Sequence, residues 1–226
     1  MSSVSAAAPN SHWPYPRFIA HRGGGTLAPE NTLAGFREAR HFCFQGIETD
    51  VMLTADGAAV LSHDPVLGRV VKSASPVASL SLKEIKTLDA GSLTAQKWAG
   101  ERIPTLEEAI ETCEANGLFM NIEIKPASES AAQATAQETV RIVKKLFEGK
   151  SLPLLSSFSR NALAAAAVEA PEIPRGLLLE GIPTDWKEVC MKLAVKTVHP
   201  DWQSVTPDFV EEAHTMGLGV MCYTVD

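Results

Sequence analysis

The chain has 226 residues, 45% of them hydrophobic, and a formal net charge of −7 at pH 7. That length suits one α/β barrel or two small domains, and that apolar content argues against a disordered chain. The negative balance argues against the sequence-independent grip on phosphate backbones that nucleic-acid proteins need, although a local basic pair can still hold a single phosphate.

No apolar run approaches the length of a membrane span. Residues 1–12 carry neither a basic n-region nor an apolar h-region. A cytoplasmic protein without a membrane anchor is therefore expected. Cys43, Cys113, Cys190 and Cys222 are widely spaced, form no metal-ligand pattern, and read as small buried residues in a reducing compartment. No linker, low-complexity tract or internal repeat divides the chain. The expected organisation is a tail and lead-in over 1–17, then one domain over 18–226.

Trp13 to Arg17 is a proline-locked lead-in. Phe18-Ile19-Ala20 is a short apolar run that ends in His21-Arg22, followed by Gly23-Gly24-Gly25. The glycines allow a sharp bend or a close approach to a ligand. Asn31 or Thr32 then caps a helix with Leu33, Phe36 and Ala39 inward. A second strand begins at Gly46-Ile47 and ends in Glu48-Thr49-Asp50. A third, Ala59 to Leu61, ends in His63-Asp64. Only a few residues around Asp56-Gly57 separate these two strands, whereas a crossover helix needs about a dozen. The fold is expected to be irregular there.

Residues 65–104 form a long, poorly periodic insertion. It carries one short helix, marked by Ser81-Leu82-Lys83-Glu84, and is expected to lie over the active-site face. Thr105 and Glu108 form a capping box that opens a helix with Leu106, Ala109, Ile110 and Cys113 inward. A fourth strand, Phe119 to Ile124, carries Glu123 and leads to Lys125. A helix near Ala132 to Glu148 and strands at Leu152–Ser156, Gly176–Leu179, Val195–Val198 and Val220–Val225 follow. Ser159 caps a short alanine-rich helix, and Thr206-Pro207 opens another that Gly217 ends. Eight strands alternating with helices predict an α/β fold, a (β/α)8 TIM barrel.

Strand ends on one rim of such a barrel carry the chemistry. Glu48 and Asp50 are two apart and share a face. Two carboxylates there repel unless a cation lies between them. Glu123 adds a third oxygen donor, and an all-carboxylate set suits Mg²⁺ or Ca²⁺ in preference to Zn²⁺. The competing explanation is structural pairing of Glu48 with Arg22 and of Glu123 with Lys125. His21 and His63 are the candidate acid–base pair; Arg22 and Lys125 are the candidate phosphate partners. His12, His41, His199 and His214 read as surface or structural. Ser156-Ser157 could line the mouth. There is no nucleophile elbow, P-loop, dinucleotide fingerprint or His-Glu-x-x-His motif.

The same residues resemble the glycerophosphodiester phosphodiesterase family of the cytosolic bacterial type. The resemblance rests on His21-Arg22-Gly23, Pro29-Glu30-Asn31-Thr32, Glu48-Thr49-Asp50-Val51, His63-Asp64, Asn121-Ile122-Glu123-Ile124-Lys125-Pro126, Ser156-Ser157-Phe158 and Tyr223-Thr224-Val225, in the family's order. It implies a barrel that hydrolyses glycerophosphocholine, glycerophosphoethanolamine and similar small diesters to sn-glycerol 3-phosphate and an alcohol. It implies Glu48, Asp50 and Glu123 as ligands of one Mg²⁺ or Ca²⁺, His21 and His63 as acid and base, and Arg22 and Lys125 on the phosphate. The family usually has asparagine where Asp226 stands and continues beyond it, so the C-terminal end is expected to be truncated relative to the family. Other readings are a barrel phospholipase, a histidine-rich metal hydrolase, for which too few histidines are placed, and a non-enzymatic phospho-ligand binder.

Overall fold

The computed structural model describes residues 13–225; the expected tail, His12 and Asp226 lie outside the described residues. Seven strands form one sheet: β1 (Gly46–Leu53), β2 (Ala59–Leu61), β3 (Phe119–Ile124), β4 (Leu154–Ser157), β5 (Arg175–Leu179), β6 (Thr197–Pro200) and β7 (Gly219–Val220). Their order is β2-β1-β3-β4-β5-β6-β7. All neighbours are parallel except β2, which runs antiparallel to β1. The helices are α1 (Leu33–His41), α2 (Leu82–Ile85), α3 (Leu106–Ala115), α4 (Ala132–Leu146), α5 (Arg160–Glu169), α6 (Trp186–Leu193) and α7 (Pro207–Thr215). The architecture is the expected α/β barrel, irregular at the β1–β2 hairpin, where the connecting turn is too short to carry a helix.

The helix starts follow their capping chemistry. Thr105 and Glu108 close a reciprocal capping box on α3, and Ser81 and Glu84 do the same on α2. Ser159 and Thr206 cap α5 and α7 through their hydroxyls. α6 was not among the expected elements, although Trp186, Val189, Cys190 and Leu193 recur at helical spacing and are its buried face. Its first turn has no side-chain cap, so the start signal is absent.

Two expected strands are shorter as regular elements. Phe18–Ala20 contributes one parallel bridge, Ala20 to Ile47, through Ala20 N–H to Gly46 O and Glu48 N–H to Ala20 O. Pro14 and Pro16 remove donors from the lead-in, Phe18 is exposed, and Arg22 turns the chain away at φ 52°. The last strand starts one residue earlier than expected, and its pairing to β6 runs on through Met221 and Tyr223 N–H to Val198 and Pro200 O. Among the described residues no backbone bond joins this edge to Ala20. Side chains cross the seam instead: the Trp13 ring lies against Gly219, whose hydrogen leaves room for it, and Thr224 reaches His21.

One apolar core lies between β1, β3 and β4 and helices α1, α3, α4 and α5. A second lies between β5–β7 and α6–α7. A third, built from Leu67, Val71, Val77, Ile85, Ala90 and Ile103, fixes the 65–104 insertion onto Met52 and Val60 of the hairpin. The opening of the insertion borders His63 and Asp64, and its apolar residues pack on the hairpin. Of the cysteines, all free, Cys113 and Cys190 are buried as expected. Cys43 and Cys222 are exposed, because Cys43 lies in the left-handed turn after α1 (φ 65°) and Cys222 at the fringe of β7.

Candidate active site

Parallel register sets the acids side by side. Glu48 stands opposite Asn121 and Asp50 opposite Glu123 across β1 and β3. Alternation along each strand turns all three carboxylates into the barrel. One oxygen from each of Glu48, Asp50 and Glu123 lies within 4.8 Å of the others. Asp50 is 1% exposed and Glu123 7%. Burial first, and then the charge of Asp50, pushes Glu123 up to about 8. Burial, Asp50 and Glu123 likewise raise Glu48 well above the usual carboxylate range. Glu48 Oε1 is buried without a hydrogen-bond partner. Three crowded oxygen donors, one of them orphaned, fit a hard divalent cation and do not fit a soft-ligand metal.

The alternative of simple structural pairing is met only in part. Arg22 does hold Glu48, but through its backbone N–H at 3.0 Å to Oε2. Its guanidinium donates from Nη1 to Glu30 Oε2 at 2.9 Å and lies 3.9 Å from Asp50 through Nε. Lys125 Nζ sits 3.3 Å from Asp50 Oδ1 and 3.7 Å from Glu123 Oε1. Both cations thus lie along the edge of the acidic cluster.

The histidines flank the same cavity. His21 Nε2 is 3.9 Å from Glu48 Oε2, and its Nδ1 is 3.5 Å from Thr224 Oγ1. Burial and then Arg22 lower its pKa to about 4, so its ring is neutral at pH 7. His63 follows β2 and places Nδ1 2.7 Å from Asp64 Oδ1. Burial lowers its pKa too, against the opposing pull of Asp50 and Asp64. The cavity, of about 1740 Å³, is lined by both histidines, Glu48, Glu123, Lys125 and Phe158 among others. All seven predicted site residues therefore gather at one rim.

Further residues bond to this group of side chains. Asn31 does not cap α1; Thr32 does, accepting from Gly35 N–H at 3.1 Å. Asn31 instead grips β1. Its Nδ2 donates to Asp50 Oδ2 at 2.8 Å, and its Oδ1 accepts from Thr49 Oγ1 at 2.6 Å and Asp50 N–H at 3.2 Å. The residue holds φ 54°, a conformation asparagine tolerates better than most. Glu30 pairs with Arg22 and Arg69, and Asp64 with His63 and Arg69. The signal for Glu30 and Asn31 was the Pro29–Thr32 run itself; Arg69, inside an aperiodic loop, had none.

Gly23 and Gly24 of the triple glycine serve packing, while a Cβ on Gly25 would meet nothing. A Cβ on Gly23 (φ 84°) would fall 2.4 Å from the Phe36 ring, and one on Gly24 2.8 Å from Ala28 Cβ. Ser157 Oγ donates to Ile124 O at 2.6 Å, while Ser156 Oγ is buried without a partner beside Glu123. His41 and His214 are exposed. His199 is buried inside the barrel, its Nε2 2.8 Å from Thr197 Oγ1.

A family model described as the Glycerophosphoryl diester phosphodiesterase family matches residues 21–226. A glycerophosphodiester phosphodiesterase of Caldanaerobacter subterraneus subsp. tengcongensis is 34% identical over 92% of this chain and 85% of its own length. Among solved structures, an Oleispira antarctica phosphodiesterase in complex with the product sn-glycerol-3-phosphate superposes with a TM-score of 0.90. It is 35% identical, over 94% of this chain and 85% of that one. A glycerophosphodiester phosphodiesterase from Agrobacterium tumefaciens gives a TM-score of 0.74 at 25% identity, over 92% and 87% of the two chains.

Proposed function

The chain belongs to the glycerophosphoryl diester phosphodiesterase family and is a phosphodiester hydrolase; from that premise we propose how its own residues act on small glycerophosphodiesters to release sn-glycerol 3-phosphate and an alcohol. The observation that carries the proposal is the convergence of three carboxylate oxygens within 4.8 Å, with an imidazole on either flank. Glu48, Asp50 and Glu123 would hold one divalent cation, Mg²⁺ or Ca²⁺. Bound there, the cation neutralises phosphate charge and lowers the pKa of the attacking hydroxyl.

Arg22 and Lys125 orient the phosphate from the edge of the acidic cluster. One histidine takes the proton from the glycerol 2-hydroxyl as its oxygen bonds to phosphorus. The other donates a proton to the departing alcohol oxygen. The cyclic phosphate that results is opened by water with the two roles reversed. His21 is neutral at pH 7 and ready to accept a proton. A reducing, cytoplasmic setting belongs to the same proposal, supported by four free cysteines, two of them exposed.

A coupled glycerol 3-phosphate assay tests it, with glycerophosphocholine, glycerophosphoethanolamine and an amide substrate, with and without chelator. Release from the diesters alone, abolished by chelator and restored by Mg²⁺ or Ca²⁺, is expected. His21→Ala and His63→Ala should each lose about 10²–10⁴-fold in kcat; full activity in both would overturn the assignment.

A further inference from the structure

The geometry points to Arg69 as a positioning residue for this reaction: its guanidinium pins the Asp64–His63 pair and, through Glu30, ties it to Arg22. The inference rests on the acid–base role proposed above for His63. Arg69 Nε donates to Asp64 Oδ2 at 2.9 Å while Nη2 donates to Oδ1, a two-pronged grip that fixes the carboxylate plane. The same Asp64 Oδ1 lies 2.7 Å from His63 Nδ1. On its other side Arg69 Nε is 3.6 Å from Glu30 Oε1, and Glu30 Oε2 accepts from Arg22 Nη1 at 2.9 Å. Five residues from two distant stretches of sequence thus form one chain of ion pairs along the rim, from the phosphate-facing arginine to the imidazole.

The corner contains a proton choice. His63 Nδ1 lies within bonding distance of both Asp64 Oδ1 and Arg69 Nη2, at 2.7 and 2.9 Å. A ring nitrogen cannot donate to the carboxylate and accept from the guanidinium at once. With the proton on Nδ1 and bonded to Asp64, Nε2 is bare and able to take a proton from substrate. With Nδ1 accepting from Arg69, Nε2 carries the proton and a neutral His63 cannot act as base. We infer that Arg69 biases the choice by holding the carboxylate through both oxygens, which keeps Asp64 Oδ1 beside Nδ1 as the acceptor of its proton. Isolated exposed ion pairs contribute little to stability, but bidentate geometry within a network is the recognised exception. The contribution here is to orientation, since Arg69 is 45% exposed and Asp64 37%.

The test compares wild type, Arg69→Met and Arg69→Lys as full-length, metal-loaded protein. kcat, KM, metal Kd and Tm are measured, together with ¹⁵N spectra of labelled histidines, the His63 signal being identified by its loss in His63→Ala. Arg69→Met should lose about 10-fold in kcat. KM and metal Kd should stay within about twofold and Tm within about 2 °C, while the His63 signal moves from the Nδ1–H toward the Nε2–H tautomer. Arg69→Lys, which keeps charge but not the fork, should recover part of kcat. Unchanged kcat and tautomer in Arg69→Met would overturn the inference. So would a raised KM with the tautomer unchanged, which would put Arg69 on the substrate. Should wild type release no glycerol 3-phosphate, the proposed function fails, and the tautomer comparison still decides whether Arg69 holds His63.

Discussion

Glu48 and Glu123 meet opposite demands. Buried beside Asp50, both prefer to be protonated; to bind a cation they must lose those protons. The sign of the stability effect follows. A carboxyl raised from 4.5 to about 8 binds more protons in the native than in the unfolded state across that interval, so stability falls as pH rises through it. His21 and His199, lowered to about 4 and about 3, act in the reverse sense below 6.5. The clean window is therefore pH 6.5–8. In chelator, Tm of the wild type should drop across that window by more than Tm of Glu123→Gln, and Mg²⁺ or Ca²⁺ should raise Tm most at its upper end. Parallel curves for the two proteins in differential scanning fluorimetry would refute this. Asn31 acts on the same cluster from outside it. Asn31→Gly keeps the left-handed backbone relaxed but frees Asp50, and should weaken both metal affinity and kcat about 10–100-fold. Calorimetric titration showing wild-type affinity would assign Asn31 to the fold alone.

At the scale of elements, the β1–β2 hairpin and the 65–104 insertion are one unit. The hairpin sends Asp50 and His63 to the same rim, with Ser62 N–H bonded to Asp50 O at 3.0 Å, and the insertion clamps its outer face through Met52 and Val60. Within the insertion, Asp89 gathers the backbone N–H groups of Gly91, Ser92 and Gly100, which hold its pKa down at about 2. Gly91 packs against Trp98 so tightly that a Cβ would fall 1.9 Å from the Trp98 carbonyl oxygen. Gly91→Ala should therefore cost about 1–3 kcal/mol and open the insertion to limited proteolysis before the barrel. A cleavage pattern and urea midpoint like the wild type would show that the loop relaxes around the methyl.

Across the whole molecule, the seam between Ala20 and β7 is held by side chains where the rest of the wall is held by backbone pairing. Trp13 fills it against Gly219 and stacks edge-on with Tyr15, which in turn meets Phe119. Because His21 follows Ala20, this aromatic file also supports one of the two site histidines. Trp13→Ala should lower stability by about 2 kcal/mol, less than for a fully enclosed tryptophan. It should also lower kcat, as the His21–Thr224 contact loosens. A urea midpoint unchanged from wild type would remove Trp13 from the account.

Short apolar runs ending in polar residues were enough to single out Glu48, Asp50, Glu123, His21, His63, Arg22 and Lys125, because side-chain alternation depends on local pattern alone; the expected end of the second strand at Asp50 was too early, since β1 runs on to Leu53 and holds Glu48 and Asp50 within it. Capping chemistry marked α2, α3, α5 and α7 for the same reason, and the short Asp56-Gly57 link made the β1–β2 irregularity readable. α6 escaped because its capping residue makes no side-chain cap, and Phe18–Ala20 overreached because proline and an exposed phenylalanine leave it one bridge. What only the tertiary structure decided is which groups touch. Asn31 on Asp50, Trp13 against Gly219 and Arg69 on Asp64 join residues whose pairing no periodicity encodes, since each depends on where a turn or loop comes to rest once the cores have packed.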